Sequence, residues 1–110
     1  MLYAIPTANG QLCPHFGHCQ QFALVETENN EIIKTTFVTP PPHEPGLLPV
    51  WLHDKGVNFI IAGGMGQRAQ QIFAQNSIQV ICGAPADKPE NLVKAHLRQT
   101  LVSGPNTCDH

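Results

Sequence analysis

The chain has 110 residues, the size of one small domain, so we expect residues 1–110 to form a single domain with one modest core. It carries six Lys and Arg against eight Asp and Glu, a formal net charge of −2, and so lacks the basic patch typical of nucleic-acid binding. No apolar run approaches the ~20 residues of a membrane span, and the opening residues do not resemble a secretory signal. We therefore expect a cytoplasmic protein with reduced cysteines and no nucleic-acid or membrane partner.

The first half of the chain predicts three strands and a loop. Leu2 to Pro6 is a short run of strand-forming residues that leads into a turn signal. Residues 22–25 and 32–38 are two further strand patterns separated by the turn residues 28–31, which predicts a hairpin. The proline-rich stretch TPPPHEPG at 39–46 excludes a helix or an interior strand and predicts a surface loop.

In the second half, helical and strand patterns alternate. The predicted elements are a helix at 47–55, a strand at 59–62, a helix from 67 to about 76, a strand at 78–82 and a helix at 91–101. This order favours parallel strands joined by right-handed crossovers. We therefore predict an α/β fold with a mixed five-stranded sheet flanked by helices, followed by a non-helical tail at 103–110.

The segment CPHFGHC at 13–19 concentrates metal-binding residue types, namely Cys13, His15, His18 and Cys19. Thiolate sulfur and imidazole nitrogen are the ligands of zinc, Cu(I) and iron–sulfur clusters. The C-x5-C spacing differs from the shorter spacing of structural zinc sites, and this disfavours a structural zinc site. The tail contributes Cys108 and His110, which extends the ligand set if the two segments meet.

The remaining cysteine and two other histidines have structural interpretations. Cys82 falls inside an apolar strand pattern and is predicted to be a small buried hydrophobic residue. His96 borders the apolar face of the last helix, which predicts a half-buried side chain with a hydrogen-bond partner. His53 is next to Asp54 on a short helix and is predicted to face solvent.

Three glycines, Gly63, Gly64 and Gly66, separate a buried strand pattern from a helix pattern. Residues 64–69 satisfy G-x-G-x-x-A, and glycines at such a turn let a ligand approach the backbone, where N–H groups favour an anion. A dinucleotide is disfavoured, because no acidic residue ends the next strand and Asp87 lies in a loop. An anion site and tight strand–helix packing both remain open interpretations of the turn.

Several segments together resemble the dinitrogenase iron–molybdenum cofactor biosynthesis family: the opening strand, PHFGHC at 14–19, HEPG at 43–46, GVNFIIAGGMG at 56–66 and SGPNTCDH at 103–110. The resemblance covers essentially the whole chain. It implies a ribonuclease-H-like fold and a protein that binds and carries iron–molybdenum cofactor or iron–sulfur precursors without catalysis. It nominates as ligands His15, His18, Cys19, Cys108 and His110, with the glycine turn lining the same face. Cys13 departs from the family pattern and is either an additional ligand or incidental.

The function predicted from these features is binding of an iron–sulfur or iron–molybdenum-type cluster and its delivery to cluster-assembly or acceptor proteins. Two alternatives use the same residues. One is a mononuclear zinc-binding module. The other is a thiol-based redox enzyme in which His15 or His18 activates Cys19.

Overall fold

A computed structural model describes residues 1–13, 20–41 and 47–98. Within these ranges, helices pack on both faces of a mixed sheet. The strands are β1 (Leu2–Ala8), β2 (Gln11–Leu12), β3 (Gln21–Glu28), β4 (Glu31–Val38), β5 (Phe59–Ile61) and β6 (Gln79–Ile81). The helices are α1 (Leu47–Asp54), α2 (Gln67–Gln75) and α3 (Pro89–Leu97).

The order of the main strands is β4-β3-β1-β5-β6. β1, β3 and β4 pair antiparallel, whereas β5 runs parallel to β1 and β6 runs parallel to β5. This arrangement confirms the predicted mixed α/β sheet of the ribonuclease-H-like type. The predicted count of five strands was one too low, because the two-residue strand β2 also pairs with β1.

The two faces of the sheet are buried under different helices. Alternate residues of β1 point to opposite faces, so Tyr3 and Ile5 join the core under α3 while Ala4 joins the core under α1 and α2. Leu92 and Val93 anchor α3 on the first face. The second face is covered by side chains from the other two helices, including Leu52 and Phe73. Burial on both faces explains why the central strands are almost wholly apolar.

The predicted hairpin is β3 and β4. Asn29 and Asn30 form its turn with φ of 54° and 64°, a conformation that asparagine tolerates better than most residues. The pairing shifts between Glu26 and Thr27, where Lys34 and Ile32 are the successive partners, so one extra residue bulges from β4. β4 is the edge of the sheet and exposes Ile33 and Phe37.

Helix boundaries depart from prediction mainly at α3. The helix begins at Pro89 rather than Asn91, since proline fits the first helical position, and it ends at Leu97 rather than Leu101. Gly56 follows α1 with φ +85° and its N–H bonds the carbonyl of His53, as predicted for a glycine that ends a helix. Within the described residues, no helix is long and apolar enough to cross a membrane.

Two histidine predictions are confirmed. His53 exposes 55% of its side chain, and its Nδ1 lies 3.9 Å from the carboxylate of Asp54. His96 is half-buried, with Nδ1 2.7 Å from the hydroxyl of Tyr3, and its ring packs edge-on against that tyrosine. Tyr3 also stacks on Phe59 at a centroid distance of 4.9 Å. Burial raises the pKa of the Tyr3 hydroxyl.

Candidate functional site

The carboxyl ends of β1, β5 and β6 meet at one edge of the sheet, because the three strands are parallel. Ligands of α/β sheets generally bind outside the carboxyl ends of the strands. The glycine turn of residues 63–66 follows β5 at this edge, and Cys82 follows β6. β1 continues through a tight turn into β2 and Cys13. Two of the four cysteines therefore lie at the edge where a ligand is expected.

β2 determines where Cys13 lies. Thr7 pairs with Gln21 of β3 and also with Leu12 of β2, so β2 must occupy the opposite side of β1 from β3. That is the side on which β5 pairs with the first half of β1. The N–H of Cys13 donates to the carbonyl of Pro6 at 2.9 Å, which continues the pairing by one residue. Cys13 therefore lies beside β1, beyond the end of β5, and its residue is only 6% exposed.

The ligand-rich segment begins and ends at this edge. Cys13 is its first residue, and Gln20 follows its last residue with its N–H donating to the carbonyl of Thr7 at 2.8 Å. The side-chain oxygen of Gln20 also accepts from the N–H of Asn9 at 3.2 Å. Cys13 and Gln20 are thus hydrogen-bonded to the end of β1 or to the turn after it, on opposite sides of the strand.

Of the predicted ligands, the structure describes Cys13 alone. His15, His18 and Cys19 fall within 14–19, and Cys108 and His110 within 99–110, which lie outside the described residues. Among residues 1–13, 20–41 and 47–98, no group of three or more His, Cys, Asp or Glu side chains lies close enough together to hold a metal ion.

The glycine turn is tied to the end of β6 through its backbone. The N–H of Gly83 donates to the carbonyl of Gly63 at 2.8 Å, and the N–H of Ala84 donates to the carbonyl of Ala62 at 3.2 Å. Gly64 is buried, whereas Gly66 is exposed and caps the start of α2 with φ −60° and ψ 150°.

At Gly66, tight packing does not explain the glycine. A Cβ there would meet no atom within 4 Å, and its φ is available to any residue. The interpretation as close strand–helix packing is therefore wrong at this position. Gly66 is instead exposed to solvent at the start of α2.

Cys82 differs from its sequence-based interpretation. It lies one residue beyond β6 rather than inside the strand, and it is only partly buried, against the core under α1 and α2. Gly83, with φ +78°, marks the point where the strand ends. A glycine directly after the cysteine was the signal in the sequence that could have placed Cys82 at the strand end.

Asp87 has a structural role at this edge. Its carbonyl accepts from the N–H of Leu12 at 2.9 Å, which holds β2 against the start of α3. Its Oδ1 accepts from the side chain of Asn91 at 3.1 Å and from the N–H of Lys88 at 2.7 Å, and these bonds lower the pKa of the carboxyl. The Asp87 carboxylate is thus bonded to the start of α3, in agreement with the absence of the acidic residue that a dinucleotide site would place at the strand end.

Comparison with known proteins agrees with this architecture. The sequence profile of the family described as "Dinitrogenase iron-molybdenum cofactor" matches residues 1–99. The chain belongs to that family. The chain is also similar to an uncharacterized protein of Methanocaldococcus jannaschii. The two are 36% identical over 85 residues, which cover 73% of this chain and 72% of the relative.

Solved structures share the fold of this family member over nearly its whole length. The crystal structure of PH0822 is 27% identical, with a TM-score of 0.86 and coverage of 94% of each chain. The apo form of the orange protein from Desulfovibrio gigas is 18% identical, with a TM-score of 0.74, and the match covers 96% of this chain and 93% of that one. At 18% identity, the similarity to the orange protein supports the fold alone.

Proposed function

We propose that this protein binds an iron–sulfur or iron–molybdenum-type cluster and carries it to an acceptor protein, without catalysing a reaction. The observation that supports this proposal most is the attachment of the ligand-rich segment. Cys13, its first residue, and Gln20, the residue that follows it, donate their N–H groups to the carbonyls of Pro6 and Thr7 at the end of β1. The segment is thus joined to the sheet at the edge where ligands of α/β folds bind.

The proposed ligands are soft donors. They are Cys13, His15, His18 and Cys19, together with Cys108 and His110 of the tail. Thiolate and neutral imidazole are the forms that bind a metal, so cargo uptake releases protons and is favoured as the pH rises. Gly63, Gly64 and Gly66 let a cluster approach the backbone beside these side chains.

The way the fold is stabilised supports a cluster that is carried and released over one that is permanently bound. Two apolar clusters, one on each face of the sheet, hold the three described helices in place. A structural zinc module, in contrast, derives its folding free energy from the metal. A protein whose core is independent of the cargo keeps its fold when the cargo leaves.

The proposal is tested by anaerobic reconstitution with ferrous and ferric iron and sulfide. We expect a brown protein with visible charge-transfer absorption, and loss of most of the bound iron in Cys19→Ala. His53→Ala is the matched control, because His53 is exposed on α1 and we assign it no ligand role. A protein that stays colourless and holds stoichiometric zinc, or a Cys19→Ala variant with full metal content, contradicts the proposal.

A further inference from the structure

β4 forms one edge of the sheet, and no strand in the described part of the chain pairs with its outer side. It is eight residues long, whereas β6 at the other edge has three. Its sequence, EIIKTTFV, is rich in β-branched residues and contains neither proline nor glycine. The unpaired N–H and C=O groups of such an edge are a template on which another strand can pair.

Two large apolar side chains of β4 are exposed to solvent. Ile33 is 56% exposed and Phe37 is 43% exposed. Ala23, the partner of Phe37 in β3, is fully buried, so Phe37 extends the apolar surface of the core out to the edge of the sheet. Among the described residues, four large apolar side chains are exposed, and two of them belong to this one strand.

We propose that β4 pairs antiparallel with β4 of a second copy of this chain, about a two-fold axis at Thr35. In this register, Thr35 lies opposite Thr35 of the second copy, and Lys34 lies opposite Thr36. One residue further along, Ile33 lies beside Phe37 of the second copy, and the symmetry repeats this contact at the other end. The apolar side chains that the single chain exposes thus cover each other in the pair. The proposed function does not depend on this surface.

Neighbouring registers fit less well. A two-fold axis at Lys34 would set two ammonium groups directly opposite each other, and like charges in that position are destabilising. An axis at Thr36 would set Phe37 opposite a threonine and so separate it from Ile33. The strand as a whole carries one acidic and one basic side chain, so a second copy meets no net charge.

The expected assembly is a small, closed dimer. Residues 34–36, at the centre of the register, lie where β4 pairs regularly with β3, beside the bulge. A two-fold interface uses the same edge of both chains, so it ends at two copies. One strand pair is small beside the roughly 1,600 Å² of a typical stable interface, so we expect a dimer that dissociates on dilution.

Sedimentation equilibrium of the full-length protein over a range of concentrations tests the proposal. The average mass should rise with concentration from 12.0 kDa toward twice that value. Ile33→Lys and Phe37→Glu should each weaken the dimer by about tenfold or more, since symmetry places each new charge at the interface twice. Val50→Lys is the matched control, because Val50 is 47% exposed on α1, and it should dimerise like the wild type.

Mixing the two β4 variants tests the register. In a pair made of one Ile33→Lys chain and one Phe37→Glu chain, opposite charges lie beside each other at one end of the interface. The native contact of Ile33 with Phe37 is kept at the other end. The mixture should therefore dimerise more tightly than either variant alone, and no gain on mixing would contradict a two-fold axis at Thr35.

Two outcomes overturn the dimer itself. One is a wild-type protein that stays monomeric at every concentration up to its solubility limit, which would leave β4 free for a different protein. The other is a dimer of equal stability in the wild type and in both β4 variants, which would place the interface elsewhere. Iron uptake by the wild type is measured separately, so either outcome leaves the proposed function standing.

Discussion

Replacing Leu12 by alanine should release Cys13 from its position at the edge of the sheet. β2 has two residues, and two backbone pairs with β1 and one bond to the carbonyl of Asp87 hold it in place. The Leu12 side chain is the apolar anchor, 2% exposed in the core under α3. Truncating a buried leucine costs about 2–5 kcal/mol, and we expect the lower part of this range, about 2–3 kcal/mol, because the strand lies at the end of the sheet and can partly relax.

Urea denaturation measures the loss of unfolding free energy in Leu12→Ala. The rate of Cys13 alkylation shows whether the structure opens at β2. For a chain of this length, about 2–3 kcal/mol corresponds to a fall in melting temperature of roughly 8–12 °C. Leu52→Ala is the matched control, since Leu52 is buried in the other core cluster and does not support β2.

If β2 opens locally, the Cys13 thiol should be alkylated faster in Leu12→Ala than in Leu52→Ala. The two variants are compared under conditions in which their global unfolding free energies are equal. Equal Cys13 reactivity in the two variants would refute the argument that β2 positions this thiol.

Four other predictions concern the described fold and the cargo. Tyr3→Phe keeps the stack on Phe59 but loses the bond to His96, so unfolding free energy should fall by about 1 kcal/mol; an unchanged urea midpoint would contradict this. Burial raises the pKa of Tyr3 in the folded protein. The contribution of Tyr3 to stability should therefore be complete below the pKa of an unfolded tyrosine and be lost as the pH rises toward the folded pKa. In melts at a series of pH values, Tyr3→Phe should show a smaller loss of stability at alkaline pH. Gly56→Ala should destabilise by about 1 kcal/mol or more, since φ +85° strains an alanine even though its Cβ has room; equal stability by calorimetry would show that the turn adapts. Stripping bound metal with a chelator should leave the melting temperature nearly unchanged, whereas a large drop would favour a structural zinc site.

The sequence predicted those parts of the fold that are determined locally. Runs such as Phe59–Ile61 are apolar, short and bounded by turn residues, and the pair Asn29–Asn30 matches the turn that a hairpin needs. β2 was missed because two residues show no periodicity. Its existence depends on pairing with Thr7 and Ala8, and on the distant carbonyl of Asp87.

The site was predicted in part, for the same reason. Residue types identified Cys13 as a candidate ligand, but its location beyond β5 follows from the double pairing of Thr7, which is a tertiary feature. Cys82 was interpreted as core because its neighbours on the N-terminal side are apolar. Its partial exposure results from the strand ending at Ile81, one residue earlier than the apolar run indicated.

Elemental analysis of the protein purified without oxygen tests the central claim most directly. Cargo binding predicts iron together with acid-labile sulfide, with or without molybdenum, and little zinc. Stoichiometric zinc with neither iron nor sulfide would contradict it.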